Sequence, residues 1–298
     1  MATGIRAYVD RPIAAVPAAA SAAQVAARRW DLEEPEVLRV GMNAIFRAGP
    51  CVLRVSAPSV PATASLELMS FLHDAGVCVP IPARSDVIVV GPLSVTCWEL
   101  LEPVDVPIDW NSVGRMVRIV HGLDRAALPG SVPLPPPTSL PWWDFPSLLD
   151  LAGPALDDDA RAGIESAIGR HRGWQSIDGA VVCHGDVHPG NVVMTVEGAT
   201  LIDWDLLCWA PPGWDHAPLL TWASRWGGDG TEYPAFAAGY GRSLADDPSA
   251  GAFAELRLVA ATLMRLIAGL RNPAAMPEAQ RRLAYWRGDP DAPQWTAQ

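Results

Sequence analysis

The sequence predicts an α+β fold in two lobes, a small N-terminal lobe on an antiparallel sheet and a larger, mainly helical C-terminal lobe. Three observations predict it. Short strand-like runs separated by turn residues fill much of the stretch before position 101. From Trp110 onward, apolar residues recur at the three- and four-residue spacing of a helix. Near position 190 that period is broken by short strand candidates around a segment rich in Asp, Asn and His. The chain has 298 residues, half of them apolar, which suits two lobes around a cleft. The expected division is 1–101 and 102–298.

In chain order, Ser21-x-x-Gln24 reads as a capping box opening a helix toward Trp30. The run before it, Ile13 to Ala20, has the small apolar character of a signal-peptide core, but it is brief and broken by Pro17. A cytoplasmic protein with an amphipathic first helix is expected. Residues 37–40, 44–48 and 51–55 read as three strands, with Gly41-Met42-Asn43 and Gly49-Pro50 as turns. A helix follows from Ala64 to Ala75, with Leu66, Met69, Phe71 and Leu72 on its apolar face. Two further strands are expected at 87–90 and 94–101.

Beyond Trp110, the spacing of Val113, Met116, Val117, Val120 and Leu123 predicts a helix. Residues 129–141 are proline-rich and read as a stiff surface connector. A helix is expected from Asp157 to about Trp174, then strands at 180–183, 192–194 and 200–202, the last two flanking a turn at Glu197-Gly198. Several helices close the chain. The clearest runs from Glu255 to Leu270, with Leu256, Val259, Leu263, Leu266, Ile267 and Leu270 as its core face. Residues 288–298 read as a polar, mobile tail, and no internal repeat is evident.

Composition excludes several classes. No apolar run is long enough to span a membrane. A net charge of -11 argues against a nucleic-acid partner. The acidity is uneven: residues 1–100 hold 9 acidic and 8 basic side chains, and residues 101–298 hold 24 and 14. An acidic half suits a cationic ligand through electrostatic steering, as well as a plain solvated surface. All 22 basic residues are arginine. The five cysteines are odd in number and form no C-x-x-C pair, so they are expected to be buried free thiols in a reducing compartment.

The chemistry concentrates in His184-Gly185-Asp186-Val187-His188-Pro189-Gly190-Asn191, followed by Asp203-Trp204-Asp205 beyond an apolar run. Phosphoryl transfer needs such a set: one carboxylate to orient the acceptor hydroxyl, and an Asn and a second carboxylate to hold magnesium. These are the hard oxygen ligands that magnesium requires. Singly, Asp, Asn and Gly are ordinary turn residues; the combined spacing carries the reading.

This block resembles the catalytic and metal-binding loops of the aminoglycoside phosphotransferases and related small-molecule kinases, which have a protein-kinase-like fold. The resemblance extends from about Val37 to Tyr240. It implies Asp186 as the catalytic carboxylate, Asn191 and Asp203 as Mg²⁺ ligands, and Asp205 as a further metal ligand or the partner of an arginine. It implies a structural His184, and for His188 either a donor near the transferring phosphate or a loop-packing ring. Asp215 becomes a scaffold for the catalytic loop. In the N-terminal lobe, Gly41 and Asn43 fall in the nucleotide-covering turn. Arg54 stands where the family commonly has lysine for the α/β-phosphates, and Glu67 on the next helix is its expected ion-pair partner. Glu99 and Leu101 lie in the segment between lobes, whose backbone would read the adenine edge.

The implied activity is ATP- and Mg²⁺-dependent transfer to a hydroxyl of a small, cationic acceptor, an aminoglycoside or other amine-bearing antibiotic being preferred. Trp204, Trp209, Trp214, Trp222 and Trp226, with Asp229 and Glu232 nearby, are candidates for the acceptor pocket as well as for core packing. Macrolides, cyclic peptide antibiotics, choline, homoserine and sugars are the alternatives within the same fold. Two other classes compete: a catalytically idle nucleotide-binding module, motivated by Arg54, and a metal hydrolase built on His184, Asp186 and His188.

Overall fold

The computed structural model describes residues 15–296. Helix α1 spans Val16–Arg29, so it begins before the expected capping box and Ser21 lies inside it. Pro17 is tolerated because it occupies the first turn, where its missing N–H would have no intrahelical partner. Of the signal-like run, Ile13 and Ala14 lie outside the described residues. The buried stripe of α1 is entirely alanine (Ala19, Ala22, Ala23, Ala26, Ala27), which lets the helix lie close against a sheet.

That sheet has five strands: β1 Glu36–Val40, β2 Ala44–Ala48, β3 Cys51–Ser56, β4 Ile88–Val90 and β5 Leu93–Glu99. Their order is β1-β2-β3-β5-β4, with antiparallel pairing throughout. Phe46, Leu53, Val55, Val95 and Cys97 join the alanines of α1 in one apolar cluster. Side chains alternate across a strand, so Arg54, between Leu53 and Val55, emerges on the opposite face.

Helix α2, Thr63–Asp74, turns away from this cluster. Its Leu66, Leu68, Met69 and Leu72 belong to the same core cluster as Val113, Met116, Val117 and Val120 of α3, Trp110–His121. Glu67 is left exposed. The rest of the chain forms α4 (Phe145–Ala152), α5 (Asp158–Arg170), β6 (Val181–Cys183), β7 (Val192–Thr195), β8 (Gly198–Leu201) and β9 (Cys208–Ala210). It continues through α6 (Gly213–Leu220), α7 (Trp222–Arg225), α8 (Glu232–Tyr240), α9 (Pro248–Arg271) and α10 (Met276–Trp286). Strands pair as β6–β9 and β7–β8. Helices α3 and α8 meet through glycine: a Cβ on Gly239 would lie 1.9 Å from the Asn111 carbonyl oxygen, and one on Gly114 2.0 Å from that of Phe236.

Three expectations are corrected. The proline-rich connector is not a surface strap, since Val132, Leu134, Pro137 and Leu140 are buried in it and the Pro135 carbonyl accepts from the Trp209 amide at 2.9 Å. The C-terminal segment is anchored through its last described residues. Trp295 is buried against Trp226 and Tyr285, and Glu278 accepts from the Thr296 amide at 2.9 Å. All five cysteines are free, but Cys78 is exposed because Val77 and Val79 on either side take the core positions. Burial, aided by the neighbouring Cys51, pushes the Cys97 thiol up to about 12, so it stays protonated and inert. No helix among the described residues is long and apolar enough to cross a membrane.

Candidate active site

The loop that carries Asp186 leaves β6 and leads into the β7–β8 hairpin. Gly185 makes the turn possible. Its φ is +97°, and a Cβ there would meet the Leu206 carbonyl oxygen at 1.9 Å. Asp186 follows at the mouth of the loop, partly buried. One of its carboxylate oxygens pairs with Arg257 of α9. The other lies 3.2 Å from the Asn191 side-chain nitrogen and 3.4 Å from His188 Nε2. Burial works against ionisation of Asp186. Arg257 and then His188 more than offset it, and the carboxyl is held well below the usual carboxylate range. It is therefore an anion at any physiological pH, suited to orienting a hydroxyl more than to keeping its proton.

Asn191 donates from Nδ2 to both the backbone oxygen of Asp186, at 2.9 Å, and its side chain. Its amide oxygen is then the atom left to ligate a cation. His188 accepts the Gly190 amide on Nδ1 at 3.1 Å, so the Nε2 proton is directed at Asp186. The ring also stacks with Trp222, centroids 6.2 Å apart, which in turn stacks with Trp226 at 5.9 Å.

His184 cannot be a metal ligand. Its Nδ1 accepts the Asp186 amide at 3.2 Å, so Nε2 carries the proton and donates to the Ile202 carbonyl at 3.1 Å. Burial lowers its pKa and keeps the ring neutral. The hydrolase reading built on His184, Asp186 and His188 falls with that. Asp215 at the start of α6 accepts the amides of His184 and Gly185, both at 2.8 Å, and His121 Nε2 lies 3.1 Å from it. His121 is held by Tyr240 at 2.9 Å. His121, Cys183 and Asp215 converge closely enough to hold an ion, yet the carboxylate is already consumed by backbone amides and the Cys183 thiol is pushed well up by burial. We read this cluster as the loop's foundation.

Asp203 ends the hairpin in left-handed backbone, φ 63°, which only it and Asp31 adopt among the described non-glycine residues. Its side chain is open to solvent, yet desolvation by the protein around it raises its pKa; Arg54 opposes the rise and Asp186 adds to it. Asp205 behaves alike: burial raises it, Arg54 opposes, Asp203 adds. Even with Arg54 in contact, the charges crowded here leave the two acids short of cationic compensation.

The Arg54–Glu67 pair expected from the sequence does not form. Arg54 bonds to Asp205, and Asn43 reaches the same carboxylate at 3.4 Å. Glu67 instead accepts from Ser131. The cause is the packing of α2, whose apolar face joins the large core cluster that α3 also enters, leaving Glu67 at the surface. Gly41 closes the β1–β2 turn, its amide bonded to the Asn43 carbonyl at 2.9 Å. Glu99 ends β5 with its amide bonded to Ile81, and Leu101 follows, half buried. Asp229 and Glu232 are not turned to a ligand: Asp229 accepts from Thr231, and Glu232 accepts the amides of Asp229 and Gly230. Trp204 and Trp214 are buried, while Trp222 and Trp226 are half-exposed.

Two residues were missed. Arg257 lies inside a helix that is legible by its apolar face; an arginine set directly between the core leucines Leu256 and Leu258 is the signal that could have found it. Arg39 on β1 lowers the Asp203 pKa, and its place on a strand of exposed residues gave no cue.

Residues 44–257 match the sequence model of the phosphotransferase enzyme family. The chain belongs to that family. Its members' chemistry is phosphoryl transfer, so this is a kinase-type enzyme acting on small molecules. Among solved structures, spectinomycin phosphotransferase APH(9)-Ia, in complex with ADP and spectinomycin, is similar at 17% identity and TM-score 0.64, covering 85% of this chain and 89% of that one. Macrolide 2'-phosphotransferase MphH from Brachybacterium faecium is similar at 18% identity and TM-score 0.54, covering 91% and 99%. A choline/ethanolamine kinase family protein from Mesorhizobium loti is similar at 20% identity and TM-score 0.58, covering 87% and 88%. At these identities the likeness shows the fold, that of the protein-kinase-like small-molecule kinases. No curated protein matches the sequence.

Proposed function

We propose that the enzyme transfers the γ-phosphate of ATP to a hydroxyl of a small, amine-bearing molecule, with an aminoglycoside or similar antibiotic as the preferred acceptor. The observation that carries this reading is the meeting of Asp186, Asn191, His188, Asp203 and the Arg54–Asp205 pair around one loop system. ATP and Mg²⁺ fit this donor set, because two under-compensated acids, Asp203 open to solvent and Asp205 partly buried, together with an amide oxygen suit a hard divalent cation. Asn191 and Asp203 would hold the metal, with Asp205 beside them. Bound magnesium would neutralise the phosphate charge that transfer develops.

The chain's own residues divide the remaining work. Asp186 orients the acceptor hydroxyl. Asn191 and His188 brace that carboxylate, and His188 presents a donor at the reacting end of the loop. Arg54, held by Asp205, offers a fixed guanidinium to the α/β-phosphates in a chain without lysine. Gly41 and Asn43 cover the nucleotide, and the Glu99–Leu101 backbone reads the adenine edge. With the lobes divided at 101/102, that backbone would form the hinge. Trp222, stacked next to His188, provides an aromatic face for a cationic acceptor; Trp226 behind it already holds Arg282 over its ring, and Asp229 and Glu232 are occupied by their own turn.

The test is γ-phosphate transfer from ATP to a panel of aminoglycosides, spectinomycin, macrolides and choline, with and without Mg²⁺. Magnesium-dependent transfer to an amine-bearing member is expected. Asp186→Asn should lower turnover at least about a hundredfold while nucleotide affinity stays within about threefold. Nucleotide binding with no transfer to any acceptor or to water would instead identify an idle binding module.

A further inference from the structure

Helix α9 is long and mostly apolar on its inner side, with Phe253, Ala254, Leu256, Leu258, Val259 and Ala260 buried. Arg257 stands in the midst of this run. Its side chain is only 20% exposed, so a charge has been brought to the edge of the core. Such a placement is unfavourable unless the charge is paired and fully hydrogen-bonded. The pairing is specific. Nη1 donates to the Gly185 carbonyl at 3.1 Å, and Nη2 donates to Asp186 Oδ1. The planar fork therefore grips two successive residues of the catalytic loop, one by backbone and one by side chain.

The grip leaves Asp186 little freedom. Arg257 takes one carboxylate oxygen, and Asn191 with His188 takes the other. The carboxylate is held from two sides that come from distant parts of the sequence, residues 188–191 and residue 257. The Gly185 carbonyl is doubly fixed as well, since Trp214 Nε1 donates to it at 3.2 Å. A structural staple between α9 and the loop would need only the backbone contact. The second contact, to the side chain of the acceptor-orienting residue, has no purpose in joining the two elements.

We propose that Arg257 is a positioning residue for phosphoryl transfer, holding the Asp186 carboxylate in the orientation that the acceptor hydroxyl requires. The inference rests on the reading of Asp186 given above. It places a determinant of the chemical step on a C-terminal helix, outside the loops that carry the reacting groups. Misalignment of a catalytic group by about 1 Å lowers rates on the order of a hundredfold, so the effect should be large and confined to turnover.

Steady-state kinetics on Arg257→Met, Arg257→Lys, Asp186→Asn and the Asp186→Asn/Arg257→Met double variant test this, alongside nucleotide affinity by calorimetry. Phosphate release from ATP with water as acceptor serves as a readout that needs no knowledge of the natural acceptor. Arg257→Met should lower kcat by about ten- to a hundredfold, with KM for ATP and nucleotide affinity within about threefold. Arg257→Lys, which can keep one of the two contacts, should recover a substantial part of kcat. The double variant should be no slower than Asp186→Asn alone, because the two groups act as one unit. The inference is overturned if Arg257→Met turns over within about threefold of the parent, if its defect falls on KM for ATP, or if the two substitutions multiply. Should Arg257→Met fail to fold, the lysine variant decides: it must show the same turnover-only defect in milder form, and a parental kcat there overturns the proposal. If Asp186→Asn itself leaves turnover near the parent, the functional reading fails first. If Asp186→Asn is inactive while Arg257→Met is not, only the present inference fails.

Discussion

At the scale of single residues, Asp203 is held where most side chains would be strained. Its φ of 63° is accessible to Asn and Asp more readily than to other non-glycine residues. Asp203→Asn can keep that backbone while losing the charge, so it separates the metal role from the structural one. We expect Mg²⁺ to tighten ATP binding to the parent by at least about tenfold more than to Asp203→Asn, with unchanged thermal stability. Calorimetric titrations with and without Mg²⁺ check this, and equal tightening in both proteins would remove Asp203 from the metal site. Arg54 presents the converse case, a cation whose partner is an acid 151 positions away in the chain. Arg54→Ala should raise KM for ATP about tenfold and lower kcat, since phosphate alignment affects binding and transfer alike. Glu67→Ala should stay within about twofold of the parent, because Glu67 meets Ser131 at the surface. A strong Glu67→Ala defect with a silent Asp205→Ala would restore the pairing that chain proximity suggested.

At the scale of elements, the catalytic loop is only as rigid as what it stands on. Asp215 of α6 holds two successive loop amides, His121 of α3 holds Asp215, and Leu206, just after Asp205, closes against Gly185. Gly185→Ala would drive a methyl into a backbone oxygen and force a left-handed backbone on alanine. It should cost at least about 2 kcal/mol of stability and most of the activity, measurable by denaturant unfolding and turnover. Asp215→Asn should lower the urea midpoint too, since one oxygen acceptor is replaced by a donor facing an amide. The short strands and the loop between them were readable because turn residues and β-branched pairs alternate there over few positions. Of the loop's foundation, Asp215 is legible only through the family resemblance, and His121 and Arg257 not at all: the three come from three helices, and no local spacing brings them together. The α2 error has the same root. Apolar periodicity located the helix, but which neighbour its apolar face meets is a tertiary fact. That fact turned Glu67 outward. The tail reads as mobile for its polar composition, but Trp295 and Thr296 anchor it.

At the scale of the whole molecule, the acid response follows from histidines buried in neutral form. His216 lies among Tyr233, Phe236 and Tyr240, wholly buried, with Nδ1 3.2 Å from the Tyr233 hydroxyl and no partner for Nε2 among the described residues. Burial, reinforced by His121, lowers its pKa to about 4. An unfolded histidine titrates near 6.5. Between these two values the unfolded chain takes up a proton that the folded one refuses, so stability falls as pH drops through that window. The loss from His216 is on the order of 3 kcal/mol by about pH 4, a sizeable share of the stability of an ordinary domain. His184, also lowered by burial, adds to the decline with the same sign. Asp215 is different: burial alone would raise it, yet His121 and the loop amides outweigh that and lower it, so its contribution is present above about pH 4 and fades only below. We therefore expect the unfolding free energy to decline from pH 6.5 to 4 and then more steeply. His216→Phe keeps the ring and removes the titration, and it should flatten the first part of that decline at the expense of the Tyr233 contact. Urea unfolding of both proteins across pH 4 to 7.5 is the measurement. Parallel curves would show that His216 is not the group being protonated on unfolding, and would leave the slope to His184.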